Sequence, residues 1–314
     1  MTALTECRRS VGGDASVPAW FEIEDHITVT GVAPDSGPVR LWCPLIQDSP
    51  YQRVLDIDVE SSAGGRIERE PVHGNLLWYA ESGDAGSPVE VRIRCLVQRT
   101  PVTHVLHPAC ARPVDNPRLF RRHLEAERFV DVDERIRRVA EAAVGSETNV
   151  LSRARRIYDH VVAGMTYDAE RQSWKGSTEH ALVCSAGNCN DIHALFISMA
   201  RSLGIPARLV LGQALEPPPP GREACELCGY HCWAEFYAAG LGWVPVDASC
   251  ACKYGKDQLF GDLELNHVAW SVGRDIRLAP AQAGEPLLFF AGPYAEVSGH
   301  PHRQMERRLR HTQI

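Results

Sequence analysis

Between Val89 and Val97 apolar side chains fall on every second residue, with Val89, Val91, Ile93, Cys95 and Val97 alternating with Glu90, Arg92, Arg94 and Leu96. A period of two sends those residues to one face of a strand, and nine such residues do not form an amphipathic helix. The stretch Ile27-Thr28-Val29-Thr30-Gly31-Val32 repeats the pattern. Pro34-Asp35-Ser36-Gly37-Pro38, Ala63-Gly64-Gly65 and Ser82-Gly83-Asp84-Ala85-Gly86 divide the runs with turn residues. An arm, 1–20, followed by an antiparallel β-sandwich-like domain over 21–112 is the expectation.

The period then changes. After a proline-punctuated connector, 113–132, Asp133 can cap a helix with Ile136, Val139, Ala140 and Ala143 on one face. Asn149 can cap a second, with Ala154, Ile157, Tyr158 and Val161 at helical spacing. Helices mixed with strands give an α+β chain, with a catalytic domain expected over 133–298. The segment 299–314 carries Arg303, Arg307, Arg308 and Arg310 and is expected to fray as a basic tail. Pro217-Pro218-Pro219-Pro220-Gly221 reads as a stiff extended loop.

With 44% hydrophobic and 23% charged residues, the chain can bury a core. A formal charge of -7 argues against nucleic acid as a partner. The first twenty residues hold no apolar run of the kind a secretory leader needs, and no run approaches the roughly 18 residues of a membrane span. A cytoplasmic protein that engages no membrane is the expectation, with most of its 11 cysteines as free thiols. Its oligomeric state is not legible.

Three segments carry chemistry. In Gly187-Asn188-Cys189-Asn190-Asp191 a loop ends, and Ile192, Leu195, Phe196, Met199 and Leu203 continue at helical spacing to Gly204 and Pro206. Cys189 thus falls at a helix N-terminus, where unpaired N–H groups and the dipole favour a thiolate and could hold an oxyanion. His231 enters a strand, His231 to Tyr237, directly after a loop. Gly240-Leu241-Gly242 then turns the chain into a second strand that ends at Asp247, a hairpin that returns the carboxylate toward the same end. Each residue alone has an ordinary reading, as a buried thiol, a core imidazole or a turn aspartate. A nucleophile on a helix start with a base and an orienting acid on one hairpin is a far more specific conjunction.

Those motifs resemble the transglutaminase-like superfamily. The similarity runs through Gly187-Asn188-Cys189-Asn190-Asp191, Leu203-Gly204-Ile205-Pro206-Ala207-Arg208, His231-Cys232-Trp233-Ala234-Glu235-Phe236 and Gly242-Trp243-Val244-Pro245-Val246-Asp247. It continues through Asn266-His267-Val268-Ala269-Trp270 and Phe289-Phe290-Ala291-Gly292-Pro293-Tyr294. The resemblance implies a papain-like core joined to the N-terminal antiparallel β domain. It also implies Cys189 as nucleophile, His231 as general base and acid, and Asp247 as the residue that orients it. Tyr167 and Trp174 are candidates for the upstream side chain that helps hold the oxyanion. The implied chemistry is thiolate attack on an amide or ester carbonyl through a thioester, with no cofactor required. A peptidase or amide hydrolase acting on a peptide, protein or small amide is the first reading. Protein-glutamine transamidation with an amine acceptor and a catalytically silent binding module are the alternatives.

Cys225-Glu226-Leu227-Cys228 and Cys250-Ala251-Cys252 could together hold a structural zinc, although a one-residue spacer is tight for a metal knuckle and free thiols are the simpler expectation. His193, one helical turn after Cys189, reads as a structural residue. Asp191 in the first turn complements the helix dipole, with Arg201 or Arg208 as candidate donors to it.

Overall fold

The alternation of the first hundred residues is realised as strands in the computed structural model, which describes residues 17–83, 88–103, 106–218, 221–255 and 259–314. Most of the expected N-terminal arm, and Pro219 and Pro220 of the proline loop, lie outside the described residues. Strands β1 (Ala19–Val29), β2 (Val39–Pro44), β3 (Gln52–Ser61), β4 (Arg66–Arg69), β5 (Leu76–Ser82) and β6 (Val89–Arg99) come first. Helices α1 (Glu134–Val144), α2 (Val150–Gly164), α3 (Thr178–Cys184) and α4 (Cys189–Ser202) follow. Then come β7 (Ala207–Ala214), β8 (Ala224–Leu227), β9 (His231–Ala238), β10 (Gly242–Val246) and α5 (Ala248–Tyr254). The chain closes with β11 (His267–Val272), β12 (Tyr294–Val297), β13 (His300–His302) and β14 (Met305–Gln313).

The described chain divides into two units. One comprises Pro101–Val210 and Cys232–Glu264, and the other Val17–Thr100, Leu211–His231 and Leu265–Ile314. The second unit therefore takes in stretches that the sequence placed downstream of residue 133.

That second unit is an antiparallel sandwich of two sheets, ordered β8–β14–β1–β6–β3 and β13–β12–β2–β5–β4. Ile27, Val29 and Val91 from the first sheet meet Val39, Leu41 and Cys43 from the second in one apolar cluster. Each such fully buried side chain contributes about 1.5–3 kcal/mol of transfer free energy. The arginine-rich C-terminal segment does not fray. It forms β14 and pairs with β1 from Phe21↔Gln313 to Val29↔Met305. Leu309 and His311 face inward. Arg307 also points inward, because Asp25 on β1 accepts from its Nε at 2.9 Å and its Nη2 at 2.7 Å. A paired inward charge is tolerated where a lone one would not be. On β7, a Cβ at Gly212 would come within 1.9 Å of the Val268 carbonyl oxygen, so glycine permits the close approach of β11 there.

The first unit is built around α4, which packs against α1, α2, α3 and α5. With neighbours on every side, the helix is enclosed all round, and thirteen of its fourteen residues are buried. Both predicted caps form. Asp133 accepts from the Ile136 N–H at 2.8 Å, and Asn149 from those of Leu151 and Ser152 at 3.0 and 3.3 Å. Strands in this unit run in the order β10–β9–β7. Phe236 of β9 stacks on Phe260 with ring centroids 5.5 Å apart, and Phe260 in turn meets Tyr158 of α2. Among the described residues no helix is long and apolar enough to cross a membrane.

Candidate active site

The start of α4 is fixed by its own sequence. Asn188 is the N-cap, with extended backbone, and its Oδ1 accepts from the Asn190 N–H at 3.0 Å and the Asp191 N–H at 3.3 Å. Asp191 reaches back to the Asn188 N–H at 3.4 Å, which completes a capping box. Cys189 is the first helical residue and is 5% exposed. Two first-turn N–H groups that the sequence offered to an oxyanion are thus already spent on the cap.

Asp191 does more than complement the dipole, and its partners are neither Arg201 nor Arg208. Its carboxylate accepts from the Ser173 N–H at 3.1 Å, the Ser173 hydroxyl and the Ser177 N–H at 2.9 Å. The Asn188 amide adds a bond to Gln172. Loop 172–177 is therefore latched onto the start of α4. Gly187 permits this, since a Cβ there would lie 2.6 Å from the Asp191 Cβ. Arg201 instead donates to the carbonyls of Glu125 and Ala207 and pairs with Glu127 at 3.0 Å, while Arg208 pairs with Glu235 at 2.7 Å.

The two oxyanion candidates sit differently. Tyr167 lies in a short parallel pairing, opposite Gly187, two residues before Cys189. Trp174 projects from the latched loop with φ 62° and is 78% exposed, so it has no packed position facing the helix start.

The predicted hairpin forms. Strands β9 and β10 pair from Ala234↔Val246 to Ala238↔Gly242, with Gly240 and Gly242 at positive φ in the turn. His231 opens β9 and Asp247 follows the last residue of β10. Asp247 is wholly buried and caps α5, its Oδ1 accepting from the Cys250 N–H at 2.8 Å and the Ser249 hydroxyl at 2.9 Å. The Nε2 of His193 lies 3.5 Å from the same oxygen. His231 stands edge-on to the ring of His267, centroids 5.3 Å apart. His267 was not singled out from the sequence as a site residue, although the Asn266-His267 motif contained it.

Nine described cysteines carry free thiols; Cys110 is disulfide-bonded. Cys225 sits on β8 and donates to the Glu226 carbonyl at 3.5 Å, and Cys228 is exposed. Cys250 and Cys252 both lie on α5, where residues two apart face different sides of the helix. Burial, reinforced by the charge of Asp247, pushes the Cys252 thiol up to about 11. Burial likewise pushes Cys95 up to about 12.

Residues 137–248 match the transglutaminase-like superfamily. A crystal structure of a candidate cysteine protease from Cytophaga hutchinsonii superposes with a TM-score of 0.61 at 18% identity, covering 94% of this chain and 91% of that one. The periplasmic domain of TgpA from Pseudomonas aeruginosa aligns with a TM-score of 0.38 at 14% identity, over 82% of this chain and 95% of that one. An uncharacterised protein of Haemophilus influenzae is 28% identical over 326 residues, 92% of this chain and 88% of its own length. Residues 137–248 are thus similar to the core domain of the transglutaminase-like superfamily.

Proposed function

We propose that the protein is a cysteine-dependent acyl-transfer enzyme, a peptidase or amide hydrolase, with Cys189, His231 and Asp247 as its catalytic triad. The observation that carries this reading is the start of α4. A cysteine in the first helical position of a buried, capped helix has the setting in which a thiolate is favoured. The hairpin that bears His231 at one strand start and Asp247 after the other strand's end supports the remaining two roles.

The chemistry balances without a cofactor. His231 takes the Cys189 proton, and the thiolate adds to the carbonyl carbon of an amide. The tetrahedral adduct collapses, the C–N bond breaks, and the imidazolium gives its proton to the departing amine. Water, deprotonated by His231, then adds to the thioester carbonyl, and the thiolate leaves with an acid as product. Tyr167, in register with Gly187, is the better placed of the two oxyanion candidates on local geometry.

An activated acyl donor such as a p-nitrophenyl ester tests this directly. A burst of about one equivalent of nitrophenol, with the acyl group located on Cys189 by peptide mass spectrometry, is expected. Cys189→Ala should abolish both burst and adduct. Turnover that survives Cys189→Ala unchanged would contradict the reading.

A further inference from the structure

We propose that His193 is a positioning residue that holds the Asp247 carboxylate in place from the nucleophile's own helix. The inference rests on the triad reading above and adds a residue to its support.

His193 is four residues beyond Cys189 on α4 and wholly buried. Its helix neighbours Ile192, Leu195 and Phe196 show what an ordinary core position here accepts. A buried imidazole needs polar surroundings, and a polar atom stands near each of its nitrogens. Nε2 faces Asp247 Oδ1 at 3.5 Å, and Nδ1 faces the Cys232 sulfur at 3.9 Å. The Cys232 S–H donates to Asn190 Oδ1 at 3.5 Å, so its proton points away from the ring. A carboxylate only accepts, so the proton of the imidazole belongs on Nε2.

The Cys250 N–H and Ser249 hydroxyl of α5 donate to one oxygen of Asp247, and the His193 ring of α4 stands 3.5 Å from that same oxygen, at ion-pair distance without hydrogen-bond geometry. The α5 donors alone would make Asp247 an ordinary N-cap. The contact from α4 ties that cap to the helix whose first residue is Cys189, so one rigid element carries the nucleophile and braces the orienting acid. Supporting groups of this kind lock the geometry of the groups that act.

The test is the pH profile of Cys189 alkylation in the intact protein, read by peptide mass spectrometry for the parent and its variants. His193→Leu should slow labelling near pH 6 about tenfold to a hundredfold, the scale of losing a supporting contact at a functional site. His193→Gln, whose amide nitrogen can reach the place of Nε2, should recover most of the rate. His193→Asn, too short to reach it, should behave like His193→Leu and replaces it should the leucine variant not fold. A folded His193→Leu or His193→Asn with an unmoved profile overturns the inference while leaving the triad standing. Equal losses in Gln and Asn variants overturn it too, because packing rather than the donor would then be responsible. A parent protein whose Cys189 shows no selective labelling removes the triad reading, and this inference with it.

Discussion

Strand β1 and helix α4 each lie at the centre of their own unit, yet they are held by different means. β1 turns Phe21, Ile23, Ile27 and Val29 inward, and its single inward charge, Asp25, is matched by Arg307. α4 buries Asn190, Asp191, His193, Ser198 and Arg201 among its apolar residues. Each has a partner drawn from another element or loop, such as Thr178 Oγ1, 2.5 Å from Ser198 Oγ. A scaffold strand needs one apolar face. Buried polar groups are tolerated only when partnered, and a helix that carries five of them is specified by geometry as well as by burial. Three of the five, Asn190, Asp191 and His193, lie in the first turn and a half, where the proposed chemistry lies.

That contrast can be broken by mutation. Ile27→Ala in the sandwich should cost about 4 kcal/mol, as a cavity in a close-packed core does, and lower the unfolding midpoint globally. Asp191→Ala should cost about 3 kcal/mol by stranding the donors of Ser173, Ser177 and Asn188. Its signature is local: faster hydrogen exchange at the Ser173 and Ser177 amides than elsewhere in the unit. Equal protection loss throughout would mean that the latch is not a separate device. Asn188→Ala should cost about 1 kcal/mol, the usual loss of an N-cap. The smallest effect concerns His311, inward on β14, whose burial holds its pKa below the usual 6.5. A lowered imidazole pKa means that the unfolded chain binds the proton more tightly. Stability should therefore decline as pH falls through about 6.5, and His311→Gln should flatten that slope in thermal melts.

Much of this was legible in the sequence where the signal was local. The alternation of β1 and β6, the caps Asp133 and Asn149, and the glycine turn between β9 and β10 depend on neighbours a few residues away. β14 was not legible, because three arginines hide its period and the partner of Arg307 lies 282 residues away. The latch on Asp191 was missed for a similar reason. Charge pointed to arginines, whereas the serines of a loop upstream supply the donors. His193 read as a structural residue because helical spacing shows only that it shares a face with Cys189. Its carboxylate partner comes from the end of a later strand.

The central claim is that Cys189 is the thiol poised to react, and pH-dependent alkylation of the native protein tests it most directly. Cys252 and Cys95, pushed up to about 11 and about 12, serve as internal controls; at pH 8 only about one Cys252 in a thousand is a thiolate. The account predicts that Cys189 labels quickly near pH 6, ahead of every other free thiol, and that His231→Ala removes this selectivity. Labelling of Cys189 no faster than its neighbours at that pH, or unchanged in His231→Ala, would contradict it.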